Sequence, residues 1–331
     1  MVIQFIVFLI GLVVLYFGAE WLVKAASSIA IKFGIRPLIV GLTIVALGTS
    51  MPEFLLNIFA LMYGKDDLAV GNIVGSNIAN IGLVLGLSII MMPIVVNRKI
   101  LRTEYPMVLL VSLVFYALAA DGVLSRSDGA LLTLGLLAFL VYVVKNAKSG
   151  TRKSGSKADG DAASKAVPEV QDSEEKGDWS NTKAGRIAYL AAGSIALTVG
   201  ARLMVVSAVN LAELLNVEPV FIGLTIVAIG TSLPELAAAV VLARKNQSEM
   251  SLGNIFGSNI LNVLFVVGLV TLVQPIAVPQ DAITQHFPVM IAFTLALYPI
   301  ARYGEIMTDS AGFVLLIAFV AYMGWLVFPY L

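Results

Sequence analysis

Apolar residues fill this chain in long blocks separated by short polar groups, and within most blocks no face of a helix would be polar. A segment that is apolar all round belongs in a large core or a bilayer, and about 20 such residues suffice to cross one. Ten crossings fit, near 2–23, 37–62, 68–93, 105–120, 129–145, 185–208, 218–243, 250–274, 286–301 and 309–329. The pattern predicts an all-α polytopic membrane protein with ten transmembrane helices. Between the fifth and sixth blocks, residues 146–184 are polar, rich in Ser and Gly and charged in both signs, the composition of a disordered-type linker. No EF-hand spacing organises its acids, so solvated charge is a better reading than a calcium sensor.

The polar residues inside the blocks matter most. GLTIVALGTSMPE, residues 41–53, places Thr49, Ser50, Pro52 and Glu53 within an apolar run. A carboxylate near a bilayer centre costs about 2.5–3.5 kcal/mol on insertion scales, so such a residue faces the protein interior and marks a site. Pro52 has no N–H to give the Gly48 carbonyl, and Ala46 and Leu47 lie just upstream of this loosened turn. Glu53 shares a helical face with Thr49 and Ser50. Carboxylate, hydroxyl and carbonyl oxygens are hard donors, suited to Na⁺, Ca²⁺ or Mg²⁺. A single copy of this stretch would be compatible with a merely kinked helix. The stretch returns as GLTIVAIGTSLPE at 223–235, with Thr231, Ser232, Pro234 and Glu235.

The repeat is larger than this signature. With a shift of 182 residues, Phe17–Leu87 lies over Val199–Leu269 without a gap. GNIVGSNIANIGLVLGL (71–87) meets GNIFGSNILNVLFVVGL (253–269), so the repeated motifs span 41–87 and 223–269. Asn72, Ser76 and Asn80 fall on one helix face, and Asn254, Ser258 and Asn262 repeat them. Ser76, Asn80, Ser258 and Asn262 are candidate ligands. Asn77 and Asn259 are read as interhelical hydrogen-bonding residues, and Gly71/Gly75, Gly82/Gly86 and Gly253/Gly257 as close-packing positions. Five crossings in residues 1–145 and five in 185–331 give two inverted five-helix repeats, an arrangement typical of transporters with an ion site at the midplane.

Composition narrows the function. The 331 residues are 59% hydrophobic with a mean hydropathy of +0.94 and zero formal net charge. No basic patch suggests nucleic acid. The absence of cysteine excludes disulfide, thiol and iron–sulfur chemistry, and a single histidine, His286, leaves little room for zinc or haem. No cofactor is expected. No catalytic constellation argues for an enzyme. The N-terminal run lacks a basic n-region and reads as the first span. With the N-terminus outside, 18 of the 21 Lys and Arg fall on the inner side and only Lys65, Arg126 and Arg202 outside. Both termini are then external and the linker cytoplasmic. Glu20 and Arg202 occupy equivalent repeat positions, read as snorkelling or locally paired. Trp21, Trp325, Tyr16, Tyr330 and His286 suit the interface with lipid.

GTSMPE and GTSLPE, each followed by GN-I-x-GSNI-x-N, resemble the two alpha-repeats of the calcium:cation antiporter superfamily, most closely the prokaryotic sodium/calcium exchanger branch. The resemblance extends over nearly the whole chain. It implies a five-plus-five inverted fold in a prokaryotic inner membrane and four ion sites around Glu53 and Glu235. By motif position it implies hydroxyls and carbonyls from Thr49, Ser50, Thr231 and Ser232, carbonyls from Ala46 and Ala228, and ring closure by Ser76, Asn80, Ser258 and Asn262. The implied reaction moves several Na⁺ in for one Ca²⁺ out, by alternating access and with net charge movement. Family members with potassium dependence resemble some archaeal exchangers in carrying Asp where Asn262 stands here, which argues against K⁺ co-transport. The Ca²⁺/H⁺ branch has GNA-x-E in place of GTS-x-PE. Ca²⁺/H⁺ antiport, K⁺-dependent exchange and a passive cation channel are the competing readings.

Overall fold

The computed structural model describes residues 1–96, 98–147, 182–215, 228–302 and 306–328. The linker expectation for 146–184 and the interfacial role given to Tyr330 fall largely or wholly outside these residues, as does the whole of 218–227. The helices are α1 (Val2–Phe33), α2 (Pro37–Thr49), α3 (Met51–Met62), α4 (Asp66–Met91), α5 (Arg98–Ala119), α6 (Arg126–Asn146), α7 (Lys183–Leu214), α8 (Ala228–Thr231), α9 (Leu233–Arg244), α10 (Ser248–Val273), α11 (Ala282–Ile300) and α12 (Asp309–Val327). Among the described residues, eight are long and apolar enough to cross a membrane. The pair α2–α3, bent by 42°, makes a ninth.

Sequence features set these boundaries. Gly34, in the left-handed region at φ 60°, ends α1 by donating its N–H to Ala30 and Ile31, and Pro37 opens α2 at a position where no N–H is needed. Ser125 and Asp128 form a capping box at the start of α6. Helix α1 runs on past residue 23 as one helix of 32 residues. Helix α7 has the same length and likewise exceeds the expected 185–208.

These two helices pack antiparallel through four glycines. A Cβ on Gly18 would lie 2.7 Å from Leu197 N, on Gly193 2.7 Å from Leu22 N, on Gly200 2.6 Å from Leu15 N, and on Gly11 3.0 Å from Gly200 O. Gly11 and Gly18 superpose on Gly193 and Gly200 in the repeat register, so the interface is built from two copies of one pattern. The apolar cluster around it (Leu15, Leu22, Val23, Leu197 and Met204 among others) also takes in Val40 and Val45 of α2 and Val241 and Leu242 of α9, and a second, larger cluster fills the rest of the bundle. Within that core α4 and α10 are central. Some 78% and 83% of their apolar windows are buried, against 22% for α1 and α12.

Short strands close the ends. β1 (Ile94–Val95) pairs antiparallel with β4 (Ile306–Met307), and β2 (Val123–Leu124) with β3 (Ile276–Ala277). Each pair joins one half of the chain to the other. Asp66 accepts from Ala277 N at 3.0 Å beside the second pair, and Arg36 approaches Glu104 at 3.9 Å at the opposite end.

The glycine expectation holds in part. A Cβ on Gly253 would sit 2.3 Å from Leu38 O and one on Gly257 2.5 Å from Leu42 O, so α10 lies backbone to backbone on α2. Gly82 and Gly86 are similarly tight against Phe319 and Leu316. Gly71 and Gly75 are not: among the described residues nothing lies within 4 Å of a Cβ built there. They border a cavity of about 560 Å³, with Asn72, Ala79, His286 and Tyr322 also in its wall. Equivalent glycines therefore have opposite tolerance. Gly253→Ala forces α10 off α2 and is expected to cost about 1–3 kcal/mol, the range for overpacking. Gly71→Ala gains helix propensity and is expected to leave the melting temperature unchanged or raised. Thermal unfolding of the two purified variants checks this.

Candidate cation site

The repeated motif breaks both of its helices at the same place. Before the break, Gly41–Val45 forms a π-helical turn within α2. The helix then stops at Ser50 (φ −84°, ψ 4°), and Met51–Pro52 starts α3 with the proline in its first turn. Ser232 (φ −88°, ψ 5°) stands likewise between α8 and α9, with Pro234 after it. The break turns hydroxyls and carboxylate toward the centre. Thr49, Ser50, Glu53, Ser232 and Glu235 are buried to 1% exposure or less, and Thr231 to 9%.

The central helices supply the facing side. α4 brings Ser76 and Asn80, and α10 brings Asn254, Ser258 and Asn262. In each, a π-helical turn begins at the last Asn (Asn80–Leu85 and Asn262–Val267). Such turns inside α-helices occur often at functional sites.

All but one of the following contacts run between the halves. Glu235 Oε1 accepts from Ser50 Oγ at 3.3 Å and Ser258 Oγ at 3.4 Å. Thr49 Oγ1 donates to Asn254 Oδ1 at 3.3 Å and lies 3.4 Å from Ser258 Oγ. Asn262 Nδ2 donates to Ser76 Oγ at 3.0 Å and to Asn77 Oδ1 at 3.1 Å, and Asn80 Nδ2 donates to Asn259 Oδ1 at 3.0 Å. Ser50, one turn before Glu53, thus reaches the carboxylate of the other half.

Among the described residues six buried oxygens here have no hydrogen-bond partner: Glu53 Oε1 and Oε2, Glu235 Oε2, Asn80 Oδ1, Asn262 Oδ1 and Ser232 Oγ. An ionised carboxylate taken out of water costs several kcal/mol unless it is paired or binds a cation. Six oxygens also meet the lower end of the Ca²⁺ coordination range and suit Na⁺ equally in chemistry. The Ala46 carbonyl takes the Ser50 N–H at 2.9 Å and the Thr49 hydroxyl at 3.2 Å. The equivalent Ser232 N–H goes to Ile229 O at 3.0 Å.

All the candidate residues whose side chains are described lie in or beside this cluster. Asn77 and Asn259 make the interhelical hydrogen bonds expected of them. Sequence reasoning missed Asn57, buried one turn beyond Glu53, whose Nδ2 donates to Glu53 O at 2.8 Å. Its repeat position holds Ala239, so the symmetry that exposed the other residues gave no signal. Glu20 is paired with Lys245 at 3.1 Å, a partner just past the end of α9.

A helical membrane protein that brings hard oxygen donors from two related halves to one buried centre belongs to the class of cation transporters. The chain is a member of the sodium/calcium exchanger protein family, which it matches over residues 3–145 and again over 186–328. It is 38% identical over 325 residues to the putative antiporter CaxA of Alkalimonas amylolytica, covering 97% of this chain and 98% of that protein. With the sodium/calcium exchanger MaX1 of Methanosarcina acetivorans it shares 31% identity over 97% of both. A solved structure of the sodium-calcium exchanger NCX_Mj superposes with a TM-score of 0.80 at 30% identity, covering 98% of this chain and 99% of that one.

Proposed function

We propose that the protein is a Na⁺/Ca²⁺ antiporter working by alternating access, with Glu53 and Glu235 as shared carboxylates. The six unpartnered buried oxygens carry this reading. Thr49, Ser50, Thr231, Ser232, Ser76, Asn80, Ser258 and Asn262 complete the oxygen set, with the carbonyls of Ala46 and Ala228. Two carboxylates supply a charge of −2. One Ca²⁺ balances it, or two to three Na⁺ share the same oxygens. Holding both loads would place excess positive charge in a low-dielectric space, so the loads exclude one another. Exchange of three Na⁺ for one Ca²⁺ moves net charge, which makes transport electrogenic.

Ten crossings in two inverted halves, in a prokaryotic inner membrane with both termini outside, accommodate the contacts. Segments assigned to one side meet only one another in the strand pairs and in the Asp66–Ala277 and Arg36–Glu104 contacts. In that orientation the cavity beside Gly71 and Gly75 opens outward, and the tight α2–α10 contact at Gly253 and Gly257 closes the inner side. The α1–α7 pair, packed together through glycines and carrying none of the ligands, slides across the rest to expose the site to each side in turn.

⁴⁵Ca²⁺ uptake into Na⁺-loaded proteoliposomes tests the reading, with K⁺ loading as control and the membrane potential clamped. The expected result is uptake that needs the outward Na⁺ gradient and changes with potential. Uptake that follows a pH gradient and ignores Na⁺ would assign Ca²⁺/H⁺ antiport. A requirement for K⁺ on the Ca²⁺ side would assign the potassium-dependent reaction, and flux with no counter-ion would assign a channel.

A further inference from the structure

We propose that Asn77 and Asn259 are positioning residues that fix which end of the Asn80 and Asn262 amides faces the cation. The inference rests on the cation-site reading above and adds two residues that do not themselves touch the ion. An asparagine amide has a donating and an accepting end of nearly the same shape, and only the accepting end serves a cation. Something must therefore set its direction.

The hydrogen bonds do so through two crossed relays, related by the repeat. Asn259 Nδ2 donates to the backbone carbonyl of Asn77 at 3.4 Å. A carbonyl only accepts, so Asn259 must turn its Oδ1 the other way, toward Asn80. Asn80 then presents Nδ2 to Asn259, at 3.0 Å, and its Oδ1 is left without a partner. The second relay starts at Met290. Asn77 Nδ2 lies 3.7 Å from Met290 Sδ, again an acceptor and not a donor. Asn77 therefore offers Oδ1 to Asn262 Nδ2 at 3.1 Å, and Asn262 Oδ1 is left bare. All four amides are 0–2% exposed, so water does not compete for them. Ser76 Oγ, the other partner of Asn262 Nδ2, gives its own proton to Ile73 O at 3.2 Å and so accepts here, but a hydroxyl can rotate to donate instead, so it holds the direction only weakly once Asn77 is gone.

Asn77→Leu removes the acceptor and keeps a similar volume. Asn262 is then free to turn its NH₂ toward the cation. ⁴⁵Ca²⁺ binding to purified protein is expected to weaken about tenfold or more, as when a group that orients a metal ligand is lost. An aspartate has two equivalent oxygens and needs no such guidance. In an Asn262→Asp background the same Asn77→Leu change is therefore expected to alter affinity by about twofold or less, within the additivity of unrelated sites. An equal loss in both backgrounds would mean that Asn77 acts by packing alone, and no loss in the native background would remove its role. If Asn77→Leu does not elute as a monodisperse protein, the other relay supplies the same cycle with Asn259→Leu and Asn80→Asp. Binding of ⁴⁵Ca²⁺ or ²²Na⁺ to the unmodified protein is measured first. If neither binds, the cation-site reading falls and takes the positioning roles with it; if either binds, the cycle judges the positioning roles alone.

Discussion

Glu53→Gln abolishes Ca²⁺ uptake into Na⁺-loaded proteoliposomes, and Glu235→Gln does the same. This is the largest single effect expected in the molecule. Each substitution keeps size and one accepting oxygen, so folding has little reason to fail. It removes one of the two formal charges that balance the ion. With one charge left, a Ca²⁺ would stand at net +1 in a buried site, and at a few ångströms each uncompensated charge is worth several kcal/mol even at an effective dielectric of about 20. A loss of at least about a hundredfold in uptake follows, about 2.7 kcal/mol or more. The two variants should fail alike if their carboxylates serve one site, as proposed: Glu235 is held by Ser50 from the other half, and among the described residues Glu53 has neither oxygen engaged. Transport retained in either variant would refute a shared site.

The second large effect concerns movement. Lys245 at the end of α9 reaches Glu20 on α1 at 3.1 Å, and beside it Arg244 donates to Tyr16 at 2.9 Å while Gln247 accepts from Ser27 at 3.0 Å. These contacts tie the α1–α7 pair to α9 and the turn that follows it. If that pair slides during exchange, the contacts must break in every cycle. The chain has no cysteine, so Glu20→Cys with Lys245→Cys creates the only two thiols. Bridging them with a short bifunctional thiol reagent should stop nearly all Na⁺-driven ⁴⁵Ca²⁺ uptake, and reductive cleavage of the bridge should restore it. The two unbridged single-cysteine variants, treated identically, report any cost of losing the ion pair itself, which at a site about one-third exposed is about 1 kcal/mol or less. Full flux through the bridged protein would end the sliding mechanism.

Much of this was legible in the sequence because the sequence says it twice. Glu53 and Glu235 stand out as buried acids at equivalent positions beside proline, and the oxygens of Asn80 and Asn262 lie on the face that the four-residue spacing predicted. The membrane helices were legible from apolar length. What escaped depends on relations that a periodic pattern does not encode. The π-helical turns at Gly41–Val45, Asn80–Leu85 and Asn262–Val267 arise from local hydrogen-bond shifts in stretches whose composition is ordinary for a helix. The Gly11, Gly18, Gly193 and Gly200 interface requires knowing which helices meet. The contrast between Gly71 and Gly253 lay furthest from reach: their surroundings in sequence are nearly the same, and one packs against backbone while the other borders a cavity. Similar sequences in dissimilar environments are a property of the conformation, not of the residues.

The paired strands at the two ends of the bundle have a consequence for how the chain is made. Ile94 meets Met307, and Val123 meets Ala277, so each pairing joins a partner synthesised early to one synthesised late. Contacts between such distant segments bring no reward until the loop between them has closed. During synthesis the first half emerges with both of its strand edges unmatched. They wait through insertion of the second half until Ile276–Ala277 and finally Ile306–Met307 arrive. Assembly therefore ends by fastening at both faces, and a chain interrupted after its first half would leave two open edges for a stray partner.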